Sequence, residues 1–136
     1  HLDNVSVENS GGSGVSVNTD RSTMKNCNVS HSKSSGLFVR YGGLMTINGN
    51  GTTIHHNCTH GDSGHYGLRT TYDSSSIHLA SSLTIENLYL DDRYFYNNGG
   101  GGNHGGQGII AIVDNEGTII ETIQESDEED ESEDDY

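Results

Sequence analysis

The chain has 136 residues, enough for one domain or a piece of a larger one. Only 29% is apolar, well under the roughly 45–50% of an average domain with its glycine included, while Gly 19, Ser 17, Asn 13 and Thr 11 together supply 60 residues and Trp and Pro are absent, which excludes a Leu- and Ala-rich helical bundle or doubly wound α/β domain. A net charge of −14 argues against binding nucleic acid by counterion release or inserting into a membrane, and no stretch reaches the ~18 apolar residues that span a bilayer.

There is no initiating Met and no signal-peptide pattern at His1, so the chain reads as a fragment or a processed product. Residues 1–80 then repeat. Val5-Ser6-Val7-Glu8-Asn9-Ser10 is followed by Gly14-Val15-Ser16-Val17. Cys27-Asn28-Val29-Ser30-His31-Ser32 is followed by Gly36-Leu37-Phe38-Val39. Thr52-Thr53-Ile54-His55-His56-Asn57 is followed, after an insertion from Cys58 to Tyr66, by Gly67-Leu68-Arg69-Thr70. Val7 to Val29 is 22 residues, Val29 to Ile54 is 25, and Gly14 to Gly36 is again 22. Met24 and Met45, 21 apart, read as a further column. Such a period means one supersecondary unit per repeat, each stacked on its neighbours. Val15/Val17, Leu37/Val39 and Met45/Ile47 alternate, as strands with one buried face do. Gly and Asn fall between the strands, where a positive φ is wanted. The expectation is a coil of strands in which Val7, Val29 and Ile54 stack inward in one column, and Val15, Leu37 and Leu68 in another.

The run Asn26-Cys27-Asn28-Val29-Ser30-His31-Ser32-Lys33-Ser34-Ser35-Gly36-Leu37-Phe38-Val39, and its continuation from Gly43 to Asn57, resembles the rungs of right-handed parallel β-helix proteins of the pectate-lyase-like superfamily. There a Gly-apolar-x-apolar strand follows an apolar-x-x-Asn turn. The style also resembles repeats in large surface or secreted proteins of algae and their viruses. The resemblance covers residues 3–80 well and 81–124 loosely. It implies an all-β fold: a short right-handed parallel β-helix, a solenoid of about 3–4 rungs.

Residues 81–124 are expected to form a terminal rung or cap. Leu83-Thr84-Ile85 and Leu88-Tyr89-Leu90 alternate, and 97–106 reads as a flexible Gly-rich loop. Ile109 to Val113 and Thr118 to Ile123 flank Asp114-Asn115-Glu116-Gly117, which suits a β-hairpin-like end more than a last rung. Glu125 to Asp135 hold nine acids and no base, leaving −5 over residues 1–124. Residues 125–136 are therefore expected to be a disordered acidic tail, either solubilising or open to a basic partner.

Candidate chemistry is sparse. His55-His56-Asn57-Cys58-Thr59-His60-Gly61-Asp62-Ser63-Gly64-His65 gathers ligand types that zinc or copper accepts. No cofactor is required by any motif. A divalent cation would best suit His60, Asp62 and His65, which share the inserted loop, whereas adjacent His55 and His56 are expected on opposite faces of a strand. Cys27 and Cys58 are an even pair, but stacked rungs would hold them roughly 20 Å apart along a strand, which favours free thiols. Sequons at Asn4, Asn28, Asn50 and Asn57 are candidate glycosylation sites. Asn26, Asn48 and Asn57 suit amide ladders from rung to rung equally well. Asn18-Thr19-Asp20 resembles the Asn-Thr-Asp motif of polygalacturonase-like glycosidases, His60-Gly61 their His-Gly, and Asp91-Asp92 their Asp pair. That resemblance would make Asp20, Asp91, Asp92 and His60 catalytic. The order departs from the family, which places its Asp pair between the other two motifs, and the Arg-x-Lys element is missing. The expected function is a non-enzymatic structural or adhesive module that displays polar loops, extracellular or on a cell or virion surface. Its partners would be carbohydrate or neighbouring repeat modules. The alternative is a fragment of a lyase or hydrolase acting on acidic polysaccharide.

Overall fold

The computed structural model describes residues 1–48, 52–72, 74–80, 95–114 and 116–124. Among these the chain is all-β, with fourteen short strands and no helix. They are β1 (Leu2–Asp3), β2 (Ser6–Glu8), β3 (Val15–Asn18), β4 (Arg21–Lys25), β5 (Asn28–Ser30), β6 (Leu37–Arg40) and β7 (Leu44–Asn48). The chain continues with β8 (Thr53–His55), β9 (Leu68–Thr71), β10 (Ser76–Ala80), β11 (Phe95–Tyr96), β12 (His104–Gly106), β13 (Ile109–Val113) and β14 (Ile119–Gln124). They form three sheets, ordered β1-β4-β7-β10-β13-β14 (sheet A), β2-β5-β8-β11 (sheet B) and β3-β6-β9-β12 (sheet C). From β1 to β10, each strand pairs in parallel with the strand three places further along the chain.

The corners explain this rotation. The residue after each sheet B strand, Asn9, His31, His56 or Asn97, has φ of 61, 60, 55 or 54°. After sheet C strands, Thr19, Tyr41 and Tyr72 have φ of 63, 57 and 71°. One left-handed residue turns the chain sharply into the next sheet, and Asn and His tolerate that region better than most.

Between corners the strands alternate, and their inward residues form one core. Met24, Met45, Ile47, Ile77, Leu79, Ile110 and Ile112 come from sheet A, Val29, Ile54 and Phe95 from sheet B, and Val17, Leu37, Val39 and Leu68 from sheet C. Val7 pairs with Val29 and Val29 with Ile54, while Val15 pairs with Leu37 and Leu37 with Leu68, as the repeat spacing requires. The Met column is corrected. Met24 pairs with Ile47, and Met45 with Ser22 and Ile77. A slip of two residues keeps every side chain on its own face, so alternation alone could not distinguish the two registers.

Polar groups at the sheet B to sheet C corner form a second ladder. Asn57 Nδ2 donates to the Val29 carbonyl at 3.1 Å and to Asn98 Oδ1 at 3.0 Å, and Asn57 Oδ1 accepts from Ser32 N–H at 3.0 Å. One row on, Asn98 Nδ2 donates to the Ile54 carbonyl at 3.1 Å and to Asn103 Oδ1 at 3.0 Å. Each amide thus satisfies backbone that the sharp corner would otherwise bury unpaired.

Glycines 14, 36 and 67 open the sheet C strands beside this ladder. A Cβ on Gly36 would lie 2.6 Å from Ile54 Cγ2, 2.7 Å from Asn57 Nδ2 and 2.8 Å from the Gly67 carbonyl oxygen. Gly36→Ala is expected to destabilise the fold by about 1–3 kcal/mol through overpacking. An unchanged urea midpoint would show that the corner is looser than this packing implies.

Of the stretch 97–106, expected as a Gly-rich loop, 97–103 forms no strand and 104–106 is β12. Asn98 belongs to the amide ladder, and β12 pairs in parallel with β9. Its glycines answer steric demand: a Cβ on Gly105 would collide with the Tyr66 ring, and one on Gly100 would lie 2.6 Å from the His65 carbonyl oxygen. The C-terminal end combines both expected forms. β13 is a parallel neighbour of β10, and β14 turns back on it antiparallel. Gln124 fastens the end of β14, donating to Thr70 Oγ1 at 3.0 Å and to the Gly108 carbonyl at 2.9 Å. The segments around Leu83 and Leu88, Asp91, Asp92, Asn50 and the acidic tail lie outside the described residues.

Candidate functional site

Outward residues of sheet C build the most distinctive surface. Inward Leu37 and Val39 put Phe38 and Arg40 outside on β6, and inward Leu68 and Thr70 put Arg69 outside on β9. Phe38 and Arg69 are direct cross-strand partners. The Arg69 guanidinium lies 4.4 Å from the Phe38 ring centroid, and the Arg40 guanidinium lies 5.2 Å from both the Phe38 and Tyr41 rings. Arg40 Nε also donates to Asn18 Oδ1 at 2.6 Å. The left-handed corner residues Tyr41 and Tyr72 project beside this row, stacked at 5.0 Å and about half exposed. A hydrogen bond with Tyr41 pushes the Tyr72 phenol above its ordinary pKa. No carboxylate pairs with either guanidinium among the described residues. A guanidinium stacked on an aromatic ring keeps its in-plane N–H groups free for a planar anion. The face therefore offers two pre-oriented cationic forks beside an aromatic ledge, on a chain of net charge −14.

Sheet B carries a histidine cluster on its outer face. His55 Nδ1 and His56 Nδ1 are 2.7 Å apart, His55 Nε2 is 2.9 Å from Asn28 Oδ1, and the His55 ring stacks on Tyr96 at 4.8 Å. His31 stacks on His56 at 5.4 Å. Adjacency had implied opposite faces for His55 and His56. Instead the left-handed φ of His56 swings its side chain to the outside next to that of His55. Burial, followed by the neighbouring His56 and His31, holds the His55 pKa below its ordinary value.

Sheet A has a shallow cavity of about 260 Å³ on its outer face, lined by Thr46, His78, Val113, Asp114 and Glu116 among others. Burial, and then Arg21, lowers the His78 pKa. The unfolded chain therefore takes up this proton first. His78 contributes its full stability above its unfolded pKa of about 6.5, and that contribution is lost as pH falls toward the folded value. His78→Gln is expected to reduce the drop in Tm between about pH 7.5 and 5 relative to the parent chain. Identical pH profiles would contradict this assignment.

The expected site residues are scattered. Asp20 is exposed at the corner between β3 and β4, whereas His60 is exposed in the segment between β8 and β9, at a different corner. Asp62 Oδ2 stands 3.8 Å from His65 Nδ1, but His60 does not join them, and no group of three or more His, Cys, Asp or Glu gathers around one point among the described residues. Cys27 and Cys58 are both buried and free. Burial pushes the Cys58 thiol up to about 11, which leaves it unreactive near neutral pH. Of the sequon residues, Asn4 is exposed at a corner, and Asn28 is half-buried with its amide bonded to Ser6, Thr53 and His55. Asn57 is 1% exposed, and its amide is committed to the ladder, so the folded chain has no room for a sugar there.

Comparison with known protein families, curated proteins and solved structures finds no match. The sheet C face was within reach of the sequence. Aligning Leu37 with Leu68 also aligns Phe38 with Arg69 and Tyr41 with Tyr72. The signal lies in the outward columns, Phe38 with Arg69 and Tyr41 with Tyr72, which the inward period-two pattern does not mark.

Proposed function

We propose that the chain is a short right-handed parallel β-helix module of about three to four rungs that binds an acidic polysaccharide along its sheet C face without cleaving it. Right-handedness follows the general rule for parallel crossover connections. The observation that carries the binding assignment is the pair of guanidiniums, Arg40 and Arg69, which no carboxylate pairs with among the described residues and which lie over Phe38 beside the exposed Tyr41–Tyr72 ledge. Guanidinium forks match carboxylates in bidentate geometry, and aromatic faces accept the apolar faces of sugar rings. Because Arg40 and Arg69 sit on neighbouring strands, a linear polyanion lying across the strands meets both. Such a module fits an adhesive role at a cell or virion surface, with further repeats stacked on its ends.

Calorimetric titration with an oligouronate and a neutral oligoglucan of equal length tests the reading. Saturable binding of the oligouronate alone is expected, weakening as salt rises, with no new reducing ends or unsaturated products. Equal binding of the neutral oligomer would refute the guanidinium argument. Turnover abolished by Asp20→Asn would establish the hydrolase alternative instead.

A further inference from the structure

We propose that His55 and His56 form a two-imidazole site for a square-planar or tetragonal transition-metal ion, with Cu(II) the best fit, on the outer face of sheet B. The site is separate from the sheet C face and needs no glycan.

The tautomers are fixed by the neighbours. Asn28 Oδ1, an acceptor, lies 2.9 Å from His55 Nε2, so that nitrogen carries the proton and His55 Nδ1 presents its lone pair. Thr53 Oγ1 donates to the same Asn28 oxygen at 3.0 Å, and Asn28 Nδ2 donates to Ser6 Oγ at 3.2 Å, which fixes the amide orientation. A ring nitrogen that donates to a carbonyl while its partner nitrogen faces outward is the usual second-shell arrangement of a metal-bound histidine. His56 Nδ1–H then donates to His55 Nδ1 across 2.7 Å. When a cation enters, the hydrogen bond between the two rings breaks, the His56 proton moves to its Nε2, and an in-plane rotation of both rings turns the Nδ1 lone pairs, which face each other in the free chain, toward the metal. No proton is lost and no redox partner is required.

The spacing selects the ion. With metal–nitrogen bonds of ~2.0 Å, the observed 2.7 Å separation subtends roughly 85° at the metal, while a tetrahedral ion needs about 109° and ~3.3 Å. A cis pair near 90° suits Cu(II) or Ni(II) and disfavours Zn(II). The rings are also held in place. His55 stacks on Tyr96 at 4.8 Å with 6° between planes, and His56 stacks on His31 at 5.4 Å with 11°. Water completes the coordination sphere, since no third ligand converges among the described residues.

The test is titration of the full chain with Cu(II) near pH 7.5, followed by electron paramagnetic resonance and by broadening of histidine NMR signals. It is run in a His1→Ala background with an acetylated N-terminus, because a free α-amine beside an imidazole chelates copper by itself. One Cu(II) per chain is expected, with nitrogen hyperfine structure and broadening centred on His55 and His56 that extends to the adjacent His31 and Tyr96. His55→Gln and His56→Asn should each weaken binding at least tenfold, and Asn28→Ala by roughly tenfold. His60→Gln should leave it unchanged. Circular dichroism confirms that each variant is folded. If one variant unfolds, the broadening pattern of the parent chain still decides. Broadening centred on His60 and His65, or affinity unchanged in both His55→Gln and His56→Asn, would overturn the proposal.

Discussion

Asn57→Ala is expected to cost about 2–4 kcal/mol of stability, a large fraction of what a small domain has. The truncation takes the side-chain partner from Ser32 N–H and the Val29 carbonyl in a site that is 1% exposed, while Asn98 Oδ1 keeps only the Asn57 backbone N–H at 3.1 Å. Each unsatisfied buried group costs about 1–3 kcal/mol, and some relaxation with water entry offsets part of the total. Asn57→Asp should be at least as damaging, since it replaces two donors with a buried charge. Chemical denaturation reads both. The same substitution at Asn4, exposed at a corner with a left-handed φ of 55°, should cost only about 1 kcal/mol, from that backbone preference alone. If Asn57→Ala proved as mild as Asn4→Ala, the ladder would not be a source of the fold's stability.

The second large effect concerns binding. Arg40→Ala and Arg69→Ala are each expected to weaken oligouronate binding roughly tenfold, and the double variant about a hundredfold, because a hydrogen bond to a charged group contributes about 1.5–3 kcal/mol. Arg69→Lys should recover only part of the loss. An ammonium keeps the charge but gives up both the bidentate fork and the stack on Phe38. Full recovery by Lys would mean that the face acts as a diffuse positive patch.

The legible parts of the fold share one cause. Val7, Val29 and Ile54, and Leu37 and Leu68, could be aligned because period-two burial and a 22-residue spacing leave an imprint in the chain. The Met24 register was not legible, since a two-residue slip conserves the pattern. Glycine composition marks 97–106 as a loop but does not show where Tyr66 or a backbone carbonyl fills the space of a Cβ, nor that 104–106 joins sheet C. The histidine cluster was hidden for a conformational reason. His56 leaves the strand by a left-handed residue, and alternation stops being a guide at that point. Asp62 and His65 are brought near each other, whereas Asp20 and His60 are kept apart by a topology that sends successive corners to different sides of the molecule.

NMR chemical-shift mapping with a short oligouronate tests the central claim most directly, because it locates the ligand without relying on any substitution. Shifts are expected to concentrate on Phe38, Arg40, Tyr41, Arg69 and Tyr72, with little change around His55 or His78. Shifts centred on the sheet A cavity, or no shifts at ligand concentrations that saturate a weak site, would contradict it.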